Sequence, residues 1–218
     1  MKLADVSAVI FDLDGLVLDT ERTYSIAWQQ AAASLGYELS LEFCLSFSGL
    51  SGQAIRERLA NQCGAGFDLT RFFELSGQVW REYVKKQGID VKQGFFELLA
   101  LIQAQELPFC LATNSRRVNA LECLAIAGLV DVFNLMVCRD DVALPKPSPD
   151  VFLKAAEYLK VPINQCLVLE DSHTGVIAAY QAGALVCYIP STESMSSDAS
   201  ALSNVHVSSL LDVLHLLK

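Results

Sequence analysis

Charge is scarce in this 218-residue chain, and positive charge is scarcer. Charged residues make up 19%, with 16 Lys and Arg against 25 Asp and Glu, for a net charge of −9. The basic residues form no block; Lys85-Lys86 and Arg116-Arg117 are only pairs. A chain this acidic lacks the footprint of a phosphate-backbone binder, so no nucleic acid partner is expected. Long apolar runs are missing too. None reaches the roughly 18 residues of a membrane span, and Val6–Phe11, cut off by Asp12, is too short for a signal peptide. No Cys-x-x-C pair occurs among Cys44, Cys63, Cys110, Cys123, Cys138, Cys166 and Cys187, which argues against a zinc ribbon or a thioredoxin-type site. Their odd number and apolar neighbours fit small buried hydrophobes in a reducing compartment, so a cytoplasmic location is expected.

Hydrophobic residues are plentiful, at 52%, enough for a sizeable core and too many for a disordered chain. Short apolar runs recur at Val6–Phe11, Pro108–Ala112, Leu135–Cys138, Cys166–Leu169 and Leu185–Ile189, with a weaker one at Val205–Val207. Helical patterns separate most of them. Uninterrupted apolar strands alternating with helices predict an α/β fold with a Rossmann-like parallel sheet buried on both faces. Phe95, Leu98, Leu99 and Ile102 share one helical face. Val118, Leu121 and Leu124 share another, with Gly128 as the stop. Ser148-Pro149 opens a helix carrying Phe152, Ala155, Ala156 and Leu159.

About ninety residues between the first two strands break the alternation. They hold three helical patterns: Glu21 to Leu35 ended by Gly36, Ser51 to Leu59 ended by Gly64, and Thr70 to Val84. The interval is too long for a simple crossover. It predicts a helical domain at 16–88 inserted into a core made of 1–15 and 89–218, with Gly15 and Gly88 at the junctions.

The chemistry-bearing residues sit at strand ends. Phe11-Asp12-Leu13-Asp14-Gly15 closes the first strand with two aspartates on one face, ~6.6 Å apart along the chain. Taken alone, the pair also fits an acidic helix-capping loop. Thr113-Asn114-Ser115 closes the second strand with hydroxyl and amide groups leading into a helix, which suits an anion. Lys146 lies between Pro145 and Pro147 in a stiffened loop. Glu170-Asp171-Ser172 closes the fourth run with two acids suited to an oxygen-ligated cation such as Mg²⁺. Carboxylates for a cation, beside hydroxyl, amide and ammonium groups for an anion, make a site for a metal-bound phosphate.

Together these four segments resemble the haloacid dehalogenase superfamily in order and spacing, as do Asp19-Thr20-Glu21 and the run Gly175-Val176 to Ala182-Gly183. The resemblance spans essentially the whole chain, and the insert looks like the small helical cap of the branch with sugar-phosphate mutases and phosphatases. It implies that Asp12 is the nucleophile and Asp14 the acid-base. It also implies that Thr113, Asn114 and Lys146 hold the phosphoryl group. Asp12, Asp14 through its backbone carbonyl, Glu170 and Asp171 would hold Mg²⁺. Tyr24, Gly49, Gly52 and Gln53 are candidate substrate contacts in the cap. The implied function is a Mg²⁺-dependent phosphatase acting as a monomer on a small phosphorylated metabolite. Dehalogenases of the family lack the second aspartate, so Asp14 favours phosphoryl chemistry.

The alternatives are a sugar-phosphate mutase and a non-catalytic phosphate-binding regulator. The mutases that the chain resembles carry a basic residue shortly after a Gly-x-Ser segment. Here Gly52 and Gln53 follow Gly49-Leu50-Ser51, and Tyr24 stands where those mutases tend to have His. No expected catalytic carboxylate is missing, which argues against the regulator.

Overall fold

Six short apolar segments pair into one parallel sheet. The computed structural model describes residues 6–47, 50, 52–191 and 197–217. The strands are β1 (Ala8–Phe11), β2 (Phe109–Ala112), β3 (Met136–Val137), β4 (Cys166–Glu170), β5 (Leu185–Tyr188) and β6 (Val205–His206). Their order is β3-β2-β1-β4-β5-β6, parallel throughout. All six fall within the apolar runs read from sequence, apart from Glu170, which extends β4 by one residue.

Contacts divide the chain into two units, one running through Leu18 and resuming at Asp90, the other Asp19–Ile89. The sequence boundary at Leu16 therefore falls inside the first unit. Gly15, at φ 88°, turns the chain after β1, and Leu18 then bridges to both Asp14 and Val91. That backbone pairing keeps residues 16–18 with the sheet.

In the sheet unit the helices are α5 (Phe95–Ala104), α6 (Arg117–Ile126), α7 (Asp150–Leu159), α8 (His173–Ala182), α9 (Ser197–Leu202) and α10 (Leu210–Leu217). One core cluster joins Ile10, Cys110, Val137 and Val168 of the strands to Val151, Phe152 and Ala155 of α7 and to Val176 and Ala179 of α8. Phe11 meets Phe95, Phe109 and Phe133 edge-on in a second cluster. On α6 the buried residues are Ala120, Cys123 and Leu124, whereas Val118 is 68% exposed. The helix is as predicted, but of the predicted face Leu124 alone turns fully inward, joined by the small Ala120 and Cys123 side chains. Within the Ser-rich stretch 191–203, residues 197–202 form α9.

The second unit holds α1 (Thr20–Ser34), α2 (Leu41–Leu45), α3 (Gly52–Cys63) and α4 (Leu69–Gln87). The short α2, capped by Ser40 accepting from the Phe43 N–H at 3.0 Å, has too few residues to show a helical period. Ala31, Ala32, Phe47, Leu59 and Phe72 form this unit's core. Tyr24 stacks on Trp80 at 5.0 Å, and the Trp80 indole donates to Thr23 Oγ1 at 2.9 Å. Among the described residues no helix is long and apolar enough to cross a membrane.

Candidate active site

Parallel register decides which side chains converge. Phe11 aligns with Leu111 of β2 and with Leu169 of β4. The residues just beyond these positions therefore emerge at one edge of the sheet. β1 is also the strand where the chain order reverses, with β2 on one side and β4 on the other, and open parallel sheets bind ligands at that point.

Asp12 is 6% exposed and Lys146 6%. The Lys146 ammonium donates to Asp12 Oδ1 at 2.5 Å, Glu170 Oε1 at 2.6 Å and the Ala112 carbonyl at 3.0 Å. It also lies 4.8 Å over the Phe152 ring. The loop between Pro145 and Pro147 is pinned by Asn114. Its side-chain oxygen accepts from the Lys146 N–H at 2.9 Å, and its amide donates to the Lys146 carbonyl at 3.3 Å. Asn114 thus has a positioning task that its motif did not advertise.

Glu170 is fully buried and curls back to accept from the Ser172 N–H at 2.9 Å and the Ser172 hydroxyl at 3.0 Å. Asp12, Glu170 and Asp171 each offer an oxygen, and these atoms lie within 4.8 Å of one another. Such a set of hard carboxylate oxygens fits Mg²⁺ in chemistry. Asp14 does not join that cluster with its side chain. Its Oδ2 instead accepts from Ser115 Oγ at 2.6 Å and Thr113 Oγ1 at 3.3 Å.

Electrostatics agree that the cluster is short of positive charge. Burial dominates Asp12 and pushes its carboxyl up. Lys146 pulls it back, Glu170 and Asp14 push it further, and the net direction is well upward. Burial works against the Lys146 ammonium, but Asp12 and Glu170 outweigh it and keep the lysine protonated. A cation beside these acids relieves the same repulsion.

A further network braces the loop after β2. The Arg117 guanidinium meets Asp141 at 2.6 Å, the Arg117 N–H donates to Asp140 at 2.9 Å, and the Arg139 N–H donates to the Ser115 carbonyl at 3.0 Å. Sequence reasoning missed these residues, because nothing local links Arg117 to acids more than twenty positions later. Partial burial tends to raise the Asp141 carboxyl. The Cys138 N–H and Arg117 outweigh it and hold the group below the usual carboxylate range. Its contribution to stability is therefore full at neutral pH and lost as pH falls through the lowered folded value. Asp141→Asn lowers unfolding free energy by about 1–2 kcal/mol at pH 7, and the gap narrows in acid as pH falls through that lowered value. Urea melts at neutral and acid pH read this; equal stabilities at pH 7 contradict it.

Of the remaining sequence candidates, Gly49 lies outside the described residues. Gly52 starts α3 and is exposed. The Gln53 amide donates to Glu57 at 2.8 Å. Tyr24 is half-buried and stacked on Trp80.

Comparisons place these features among known proteins. A family model described as haloacid dehalogenase-like hydrolase matches residues 9–189. A Thermotoga maritima protein named phosphorylated carbohydrates phosphatase is 31% identical over 182 residues, covering 82% of this chain and 82% of its own. The Bacillus subtilis beta-phosphoglucomutase is 30% identical over 184 residues, covering 82% and 80%. The crystal structure of a haloacid dehalogenase family hydrolase from Deinococcus radiodurans, with bound phosphate and sodium, matches with a TM-score of 0.80 at 26% identity, over 99% of each chain.

Proposed function

The chain belongs to the haloacid dehalogenase-like hydrolases, and we propose that it hydrolyses small phosphate monoesters, sugar or nucleotide-like, through a phosphorylated Asp12. One observation carries this reading. A buried carboxylate is clamped by a lysine, and a second carboxylate two residues on is held by hydroxyls.

Lys146 holds Asp12 Oδ1, which orients Oδ2 toward phosphorus. The Asp12 oxygen bonds to phosphorus while the ester P–O bond breaks, and Asp14 gives its proton to the departing oxygen. Water then attacks the phosphoryl group and yields its proton to Asp14. The bond to Asp12 breaks, and alcohol and phosphate are the net products. Thr113 and the backbone at Asn114 face the phosphoryl oxygens. Asp12, Glu170 and Asp171, with the Asp14 backbone carbonyl, would hold Mg²⁺, which when bound offsets the phosphoryl charge.

The mutase reading is supported by the Bacillus relative. Against it, the two cations of α3 are engaged within their own unit. Arg56 lies 4.5 Å over the Phe73 ring, and Arg58 donates to the Ser46 carbonyl at 3.1 Å. With Gln53 tied to Glu57, α3 offers little to grip a second phosphate.

The expected result is hydrolysis of p-nitrophenyl phosphate that requires Mg²⁺ and stops on chelation. Sugar 1-phosphates release phosphate without isomerising. Isomerisation that depends on a sugar bisphosphate contradicts the assignment and favours the mutase.

A further inference from the structure

We propose that Ser115 is the positioning residue of the acid-base carboxylate Asp14, and that it governs cleavage of esters whose alcohol leaves poorly. The inference rests on the phosphatase reading above.

Three groups form a closed triangle. Ser115 Oγ donates to Asp14 Oδ2 at 2.6 Å, Thr113 Oγ1 donates to the same oxygen at 3.3 Å, and Thr113 Oγ1 accepts from the Ser115 N–H at 2.9 Å. The Ser115 backbone is pinned at both ends, since its carbonyl accepts from the Arg139 N–H at 3.0 Å. Its hydroxyl therefore starts from a fixed base. Asp14 follows β1 at the turn through Gly15, where the bridge to Leu18 holds its backbone and leaves the side chain to be aimed. Left to itself, an aspartate there has several rotamers to choose from. The shorter of the two hydroxyl bonds selects one.

The chemical consequence is regiospecific. With Oδ2 accepting from two hydroxyls, the proton that Asp14 transfers rides on Oδ1. In the first step the Asp12–phosphorus bond forms, the ester P–O bond breaks, and that proton goes to the ester oxygen. In the second step a water proton returns to Asp14 as the Asp12–phosphorus bond breaks. Proton transfer matters most when the leaving oxygen is strongly basic, as in an alkyl or sugar phosphate. It matters least for p-nitrophenolate, which departs as a stable anion. A misaimed Asp14 therefore penalises the two substrate types unequally, whereas damage to phosphate binding or to the fold penalises both alike.

The test compares kcat/KM for p-nitrophenyl phosphate and for an alkyl phosphate that the parent protein hydrolyses, because kcat/KM reports the steps through transfer to Asp12. Ser115→Ala lowers the alkyl value about 100-fold, and the p-nitrophenyl value by less than about threefold. Asp14→Asn shows the same inequality, and Ser115→Thr restores the parent ratio. Equal losses on both substrates in Ser115→Ala overturn the proposal and leave the phosphatase reading standing. So does a Thr variant that behaves like the Ala variant. A parent protein that hydrolyses neither ester overturns the phosphatase reading, and the proposal falls with it.

Discussion

Asp12→Asn lowers turnover of any substrate by roughly 10⁴-fold or more while the melting temperature of the metal-free protein rises. The two halves of this result have one origin. Asp12 is buried among Glu170 and Asp14, and burial with those neighbours pushes its carboxyl well above the ordinary aspartate range. An acid shifted in that direction weakens the fold when it is ionised. The penalty is present above the raised folded value and absent below the ordinary aspartate value. The amide removes that penalty at neutral pH. Lys146 keeps its bonds to Glu170 and to the Ala112 carbonyl, so no buried cation is stranded. The amide is also a poor nucleophile, so the proposed covalent step is lost. Active sites commonly trade stability for reactivity in this sense. Thermal melts of the metal-free proteins, with steady-state assays in Mg²⁺, read both halves. A fall in melting temperature contradicts the electrostatic account, since the Lys146–Asp12 ion pair would then outweigh the repulsion.

Gly175→Ala has the larger structural effect. A Cβ at Gly175 would lie 1.8 Å from Glu170 Oε1 and 1.9 Å from its Cδ, a distance that no packed atoms sustain. Gly175 is in the first turn of α8 and buried, so the helix cannot simply step aside. The Glu170 carboxylate must move instead. It then gives up both Ser172 contacts and the Lys146 ion pair, in a site where Glu170 is fully buried. Breaking a buried ion pair costs about 3–5 kcal/mol, which lowers the melting temperature by about 10 °C in a chain of this size. Activity falls on the order of 100-fold, because Lys146 and the carboxylate cluster lose a shared partner. In the double variant with Glu170→Ala the clash has gone, so the two losses do not add. Melts and assays of the four proteins in that cycle check this. Unchanged stability in Gly175→Ala contradicts the packing described here.

Much of this arrangement could be read before any coordinates. The six strands declared themselves as short apolar runs, and a parallel sheet brings their C-terminal ends together. That places Asp12, Thr113, Glu170 and Asp171 at one edge without further information. Other features were illegible for physical reasons. Five residues of α2 are too few to show a period. The inward face of α6 is built from Ala120, Cys123 and Leu124, and hydropathy alone ranks Val118 and Leu121 above two of them. The partners of Asp14, Asn114 and Arg117 lie far away in sequence, so only the fold pairs them. The space left for Glu170 by Gly175 belongs to the same class: the glycine is visible in sequence, and what it makes room for is not.

The central claim is that Asp12 becomes phosphorylated. Rapid acid quench of the protein with a radiolabelled phosphate ester in Mg²⁺, followed by borohydride reduction and peptide mapping, tests it most directly. The account predicts a transient acid-stable label on the protein, conversion of Asp12 to homoserine on reduction, and neither in Asp12→Asn. Multiple turnovers with no labelled protein, or with the label on a residue other than Asp12, contradict it.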